Sequence, residues 1–114
     1  ERALAVPPGH LTVCDGDRTA VTASGQRIDL ARHPKMYQLL ACLARQHVAA
    51  TGRSLAAAAL FDRVWEGERA LPASATHRVR VAVASLRKLG LGAAIEFHDG
   101  GYRLAPQVRV ALRA

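Results

Sequence analysis

Residues 74–90 read SATHRVRVAVASLRKLG, and residues 95–104 read IEFHDGGYRL. Set on the helical period of ~100° per residue, the first stretch separates into two faces. Val79, Val83 and Leu86 share one face, with Ala75, Ala82 and Gly90 beside them. His77, Val81, Ala84 and Lys88 fall on the other, flanked by Arg78, Arg80 and Ser85. The second stretch predicts a β-hairpin: EFH and YRL flank Asp99-Gly100-Gly101, and an Asp-Gly pair supplies the left-handed residues that a tight turn needs. A helix with an apolar back and a cationic front beside a short hairpin suits insertion into a DNA groove. A solvated surface helix has the same pattern, since exposed arginine is ordinary on helices.

Outward from this stretch, residues 67–73 (GERALPA) predict a loop, with Ser74 or Thr76 as the cap of the basic helix and Leu89-Gly90-Leu91-Gly92 as its stop. Residues 56–65 (AAAALFDRVW) predict a helix with Leu60, Phe61, Val64 and Trp65 on one side, its alanines being strong helix formers. Residues 36–49 (MYQLLACLARQHVA) predict another, opened by Pro34, where a missing N–H is harmless, and ended at Thr51-Gly52. Met36, Leu39, Leu40, Leu43 and Tyr37 form its apolar side. Nearer the N-terminus, LTVC (11–14), TAVTA (19–23) and QRIDL (26–30) are separated by the turn formers DGD and SG, which predicts an antiparallel meander of three or four short strands. LAVPPG (4–9) reads as a linker. QVRVALRA (107–114) alternates as a further strand does.

The expected organisation is therefore a linker over 1–9, one domain over 10–105, and a C-terminal tail or extra strand over 106–114. The fold class is α+β: an N-terminal meander, a three-helix core and a C-terminal hairpin wing, the order of a winged helix-turn-helix.

Composition narrows the function. At 114 residues with half of them apolar, the chain is long enough to bury a core and unlike a disordered one. Its two cysteines, Cys14 and Cys42, are far apart and lack CxxC spacing, which fits free thiols in a reducing cytoplasm. No apolar run approaches the ~18 residues needed to span a bilayer. Sixteen Lys and Arg against nine Asp and Glu give a net charge of +7. No acidic residue falls between Glu68 and Glu96, while Arg69, Arg78, Arg80, Arg87 and Lys88 do. That concentration is the footprint expected of a polyanion binder. A membrane-surface helix needs large apolar anchors, and the back of this one is Val and Ala.

These residues resemble the OmpR/PhoB-type effector domain, the DNA-binding output module of many bacterial response regulators in two-component systems. The resemblance spans roughly residues 26–104 and rests on four fragments in order. They are Pro34, Tyr37, Leu39 and Leu40; then Gly52, Arg53 and Leu55 leading to Leu60, Val64 and Trp65; then Val79, Val81 and Val83 before Leu86, Arg87 and Lys88; and Gly101-Tyr102-Arg103-Leu104. It implies that the third helix (about 75–89) enters the major groove of double-stranded DNA, with His77, Arg80, Val81, Ala84, Ser85 and Arg87 facing the duplex and the wing tip at His98 approaching the minor groove. Arg103 lies in the wing. It also implies contacts with RNA polymerase and an upstream regulatory domain, and pairing of two copies on DNA. The residue types agree in part: Arg78 and Arg80 can reach phosphates or fork onto guanine, Val81 can meet a thymine methyl, and Lys88 suits a phosphate or the helix dipole. For Arg87, a phosphate contact and a surface ion pair stand as equals. The chain departs from the family at Ala84 and Ser85, where basic residues are frequent, at Asp99 beside the wing tip, at Met36, and at Ala56 in place of a Ser cap. Segments 46–51 and 66–74 are also longer than usual.

Catalysis finds no footing. The five histidines (His10, His33, His47, His77, His98) are scattered as surface or capping residues, and no metal-ligand spacing, nucleophile motif, phosphate loop or cofactor motif appears. The alternative function is a winged helix that acts as a protein–protein interaction module through the same helix.

Overall fold

Two small sheets bracket three helices in the computed structural model, which describes residues 9–114. Apart from Gly9, the linker expected over 1–9 lies outside the described residues. The meander forms as β1 (His10–Cys14), β2 (Thr19–Thr22) and β3 (Arg27–Asp29), antiparallel in succession. Period-2 alternation sends Leu11, Val13, Ala20 and Ile28 inward. Asp17 organises the first turn: it accepts the Thr19 hydroxyl at 2.6 Å and Arg27 Nη2 at 3.1 Å. The Thr19 hydroxyl, aided by the Arg27 charge, holds its carboxyl below the ordinary 3.8.

Helix α1 (Pro34–Ala49) begins with proline, as predicted, and buries Tyr37, Leu39, Leu40 and Leu43. His33 occupies the N-cap position without a side-chain bond. The helix runs to Ala49, as its periodicity predicts, so most of segment 46–51 is helical. The Tyr37 hydroxyl donates to Asp15 Oδ1 at 2.7 Å, tying the helix to the β1–β2 turn. Burial first, and then this bond, push the phenol pKa up to about 12.

The second helix starts later than its alanine run suggests. Leu55 and Ala56 form a short strand, β4 (Leu55–Ala56), and Ala56 caps α2 (Ala57–Val64) without a side-chain bond. Local propensity there yields to pairing with β6 (Gly101–Leu104), in the register Leu55↔Tyr102 and Ala56↔Gly101. Helix α3 (Pro72–Leu86) packs on α1 and α2 through Ala75, Val79, Ala82, Val83 and Leu86. The predicted apolar back is therefore the buried one. A π-helical turn, Arg87–Leu91, ends it, with Gly90 at φ 128°.

Strand β5 (Ile95–His98) pairs with β6 from Ile95↔Leu104 to His98↔Gly101. The connecting loop is only Asp99-Gly100, both left-handed (φ 51° and 77°), which matches the twist of a tight hairpin. Gly101 is no turn residue: it lies in β6, where an added Cβ would collide with the Leu55 backbone. The tail also folds. Val108 is buried, and β7 (Arg109–Arg113) pairs parallel to β1, completing the order β3-β2-β1-β7. The architecture is a compact α+β fold of three helices and two sheets, one of them mixed.

Candidate nucleic-acid interface

The basic face of α3 is built from its first turn. Pro72 occupies the opening of the helix, and Leu71 is the N-cap, its carbonyl accepting from Ala75 N at 3.0 Å. Ser74 and Thr76 thus lie inside the helix and are not its caps; proline at the first helical position outcompetes the hydroxyl signal because its φ is already set. The loop before α3 shortens accordingly to 66–71.

With the back of the helix fixed in the core, the 3.6 period leaves its front in solvent. His77, Arg80, Val81, Ala84 and Lys88 are all exposed, and Ser85 is half-buried at the margin. Val81 is 50% exposed, an apolar side chain among cations. Pro72, Ala73, Thr76, His77 and Arg80 line a shallow hollow of ≈ 440 Å³ at the N-terminal half of this face.

Three predicted contact residues are engaged within the protein. Arg78 Nη1 donates to Glu68 Oε1 at 2.6 Å, and its guanidinium sits 5.9 Å from the Phe61 ring centroid. Among the described residues Arg87 forms no ion pair. Its Nε and Nη2 both donate to the Ile95 carbonyl, at 3.2 and 3.1 Å, fastening the end of α3 to β5. Arg103 is also internal: it pairs with Glu96 across the hairpin (Nη2–Oε1 2.7 Å) and donates through Nη1 to the Gly52 carbonyl at 2.8 Å. Both arginines are half-buried. These bonds use the fork of guanidinium donors that reading base edges or phosphates would require.

On the hairpin, His98 is exposed beside the Asp99 turn. Phe97, to which no sequence motif gives a role, is 63% exposed, with its ring 5.3 Å from Tyr102 in an edge-to-face arrangement. Strand alternation puts it on the same side as buried Ile95, which in a longer sheet would mean core. The pairing of Glu68 with Arg78 also escapes sequence reading, because a partner ten residues away across a loop leaves no periodic signal.

Trp65 and Tyr102 are buried packing residues, Trp65 stacking on Phe61 at 5.3 Å. His47, expected at the surface, is buried: its Nε2–H donates to the Val108 carbonyl at 2.6 Å, joining α1 to the segment before β7. No helix of the described residues is long and apolar enough to cross a membrane. No protein-family model and no curated protein matches the chain.

Proposed function

We propose that this protein binds double-stranded DNA sequence-specifically, as the output module of a bacterial transcriptional regulator with winged helix-turn-helix architecture. In this reading α3 lies in the major groove and the β5–β6 hairpin is the wing. The observation that carries it is the front of α3. It presents His77, Arg80, Val81 and Ala84 together in solvent, with Lys88 in the turn that follows, within a 27-residue run (69–95) that contains no carboxylate. A duplex carries a negative charge every ~1.7 Å along its axis, so an excess of cations on the face is the first requirement, Glu68 at its edge being held by Arg78. Arg80 is then the best candidate to fork onto a guanine, and Val81 to meet a thymine methyl. Lys88, at the exposed end, supplies a phosphate contact. Arg78 joins them after exchanging Glu68 for a phosphate, while Arg87 and Arg103 hold the scaffold. RNA polymerase, an upstream regulatory domain and a second copy on DNA are the partners this reading brings with it, and the interior of a bacterial cell is its setting.

Fluorescence anisotropy with duplex DNA tests the reading. Affinity falls steeply as salt rises, because bound phosphates release counterions. Arg80→Ala costs roughly 1–3 kcal/mol of binding. A salt-independent affinity, or an unchanged one in Arg80→Ala, removes the assignment.

A second reading has its own support. The hairpin offers exposed Phe97 and the Asp99 carboxylate where a DNA-binding wing favours a cation. An exposed aromatic suits a protein partner, and an interface built on it keeps its affinity in salt.

A further inference from the structure

A second basic feature lies away from α3. A groove of ≈ 680 Å³ runs between the β1–β2 turn, α1 and the end of α2. That volume falls in the range of small-molecule sites, roughly 300–1,000 Å³. Along α1, Tyr37, Gln38, Ala41, Cys42 and Arg45 follow the spacing of one helical face, and all of them line the groove. Ala41 stands at the centre of that face, and its short side chain leaves the floor open. Arg63 contributes from α2 and Arg18 from the turn.

The charge balance favours an anion. Arg18, Lys35, Arg45 and Arg63 face only two carboxylates, Asp15 and Glu66. Lys35 is partly committed, donating to the Val64 carbonyl at 3.0 Å. The Arg63 guanidinium reaches only Cys42 Sγ at 4.0 Å, a weak acceptor. Among the described residues no carboxylate pairs with Arg18, Arg45 or Arg63. Arg18 is also held at φ 54°, a left-handed conformation uncommon outside glycine, while its carbonyl accepts from Leu30 N at 2.9 Å. Strain of that kind concentrates where a side chain must be aimed.

We propose that this groove binds a phosphate group carried by a small molecule, with Arg18, Arg45 and Arg63 as the charge-assisted donors and Gln38 as a neutral one. Three guanidiniums brought to one groove by three elements supply the donors that the oxygens of a phosphate accept well. DNA could offer the same chemistry through its backbone. The groove, however, shares no lining residue with α3 or the hairpin.

The probe is pyrophosphate, titrated calorimetrically into the protein at low salt. Saturable one-to-one binding is expected, weakened about tenfold by Arg45→Gln or Arg63→Gln through loss of one charge-assisted bond. Arg45→Lys, which keeps the charge, retains more of it, and Arg80→Ala leaves it intact. Circular dichroism confirms that each variant is folded. In parallel, Arg63→Gln leaves duplex affinity within about twofold of the parent, since removing one charge remote from the DNA changes little. Absent or non-saturable binding overturns the proposal. So does equal weakening by Arg80→Ala, or a large loss of duplex affinity in Arg63→Gln, which would make the groove part of a DNA surface. Failure of DNA binding itself would leave the pyrophosphate result standing, so the two readings fail separately.

Discussion

Arg87 fastens the end of α3 to Ile95: two guanidinium N–H groups, at 3.2 and 3.1 Å, converge on one carbonyl oxygen at the start of the hairpin. The helix that carries the candidate interface and the strand that begins the hairpin are therefore locked in relative position by a side chain that looks, in sequence, like a DNA contact. Arg87→Ala is expected to lose about 1–2 kcal/mol of stability, as for a half-buried hydrogen bond to a charged group. Arg87→Lys recovers little, because an ammonium cannot reproduce the fork. Urea denaturation reads the first effect; duplex affinity of the folded fraction stays close to that of the parent.

The Gly101 position in β6 has a sharper requirement than its neighbour in the turn. An added Cβ would meet the Leu55 backbone, so β4 must separate from β6, and Gly101→Ala is expected to cost about 1–3 kcal/mol by overpacking. At Gly100 nothing lies within 4 Å, and only the positive φ is strained. Gly100→Ala therefore costs about 1 kcal/mol. Parallel denaturation curves that rank the two in the opposite order would contradict this packing.

If α3 binds DNA as proposed, Glu68 restrains a cation that the duplex would use. Its pair with Arg78 is exposed, and such pairs contribute about 0–1 kcal/mol. Glu68→Gln removes a carboxylate from the edge of the α3 face at little structural cost. Duplex affinity is expected to rise a few-fold, on the order of the pair's own small energy, with a steeper salt dependence. Unchanged affinity would place Arg78 away from the duplex.

Tyr37 makes the protein sensitive to alkali. Its phenol titrates at about 12 in the fold against 10.0 unperturbed. The folded state thus holds the proton more tightly than the unfolded state does. The contribution to stability is complete below pH 10 and is lost as pH rises toward 12. In an ultraviolet titration, the Tyr37 share of tyrosinate absorbance emerges only near pH 12, and Tyr37→Phe abolishes it and flattens the alkaline loss of stability.

Much of this architecture was legible because it is periodic. The three buried faces, the meander and the hairpin follow from spacings of 3.6 and 2, and Val79, Val83 and Leu86 lie where the helical period puts them. What escaped is non-local. Ala56 has strong helix propensity but is claimed by a strand partner 45 residues later, Gly101. The tail alternates like a strand, yet nothing local says that it joins β1 in parallel. The exposed half of the α3 face was readable for the same reason as its back. Arg87 and Arg103 were not, since an arginine that reaches a backbone carbonyl is spelled like one that reaches a phosphate.

The central claim is that the front of α3 reads base edges. Selection of the purified protein against a random duplex pool, sequenced at two salt concentrations, tests it most directly. The account predicts enrichment of one defined motif, weaker at the higher salt, with the preference at a guanine position relaxed in Arg80→Ala. Enrichment of no motif, or a motif unchanged in Arg80→Ala, would contradict it.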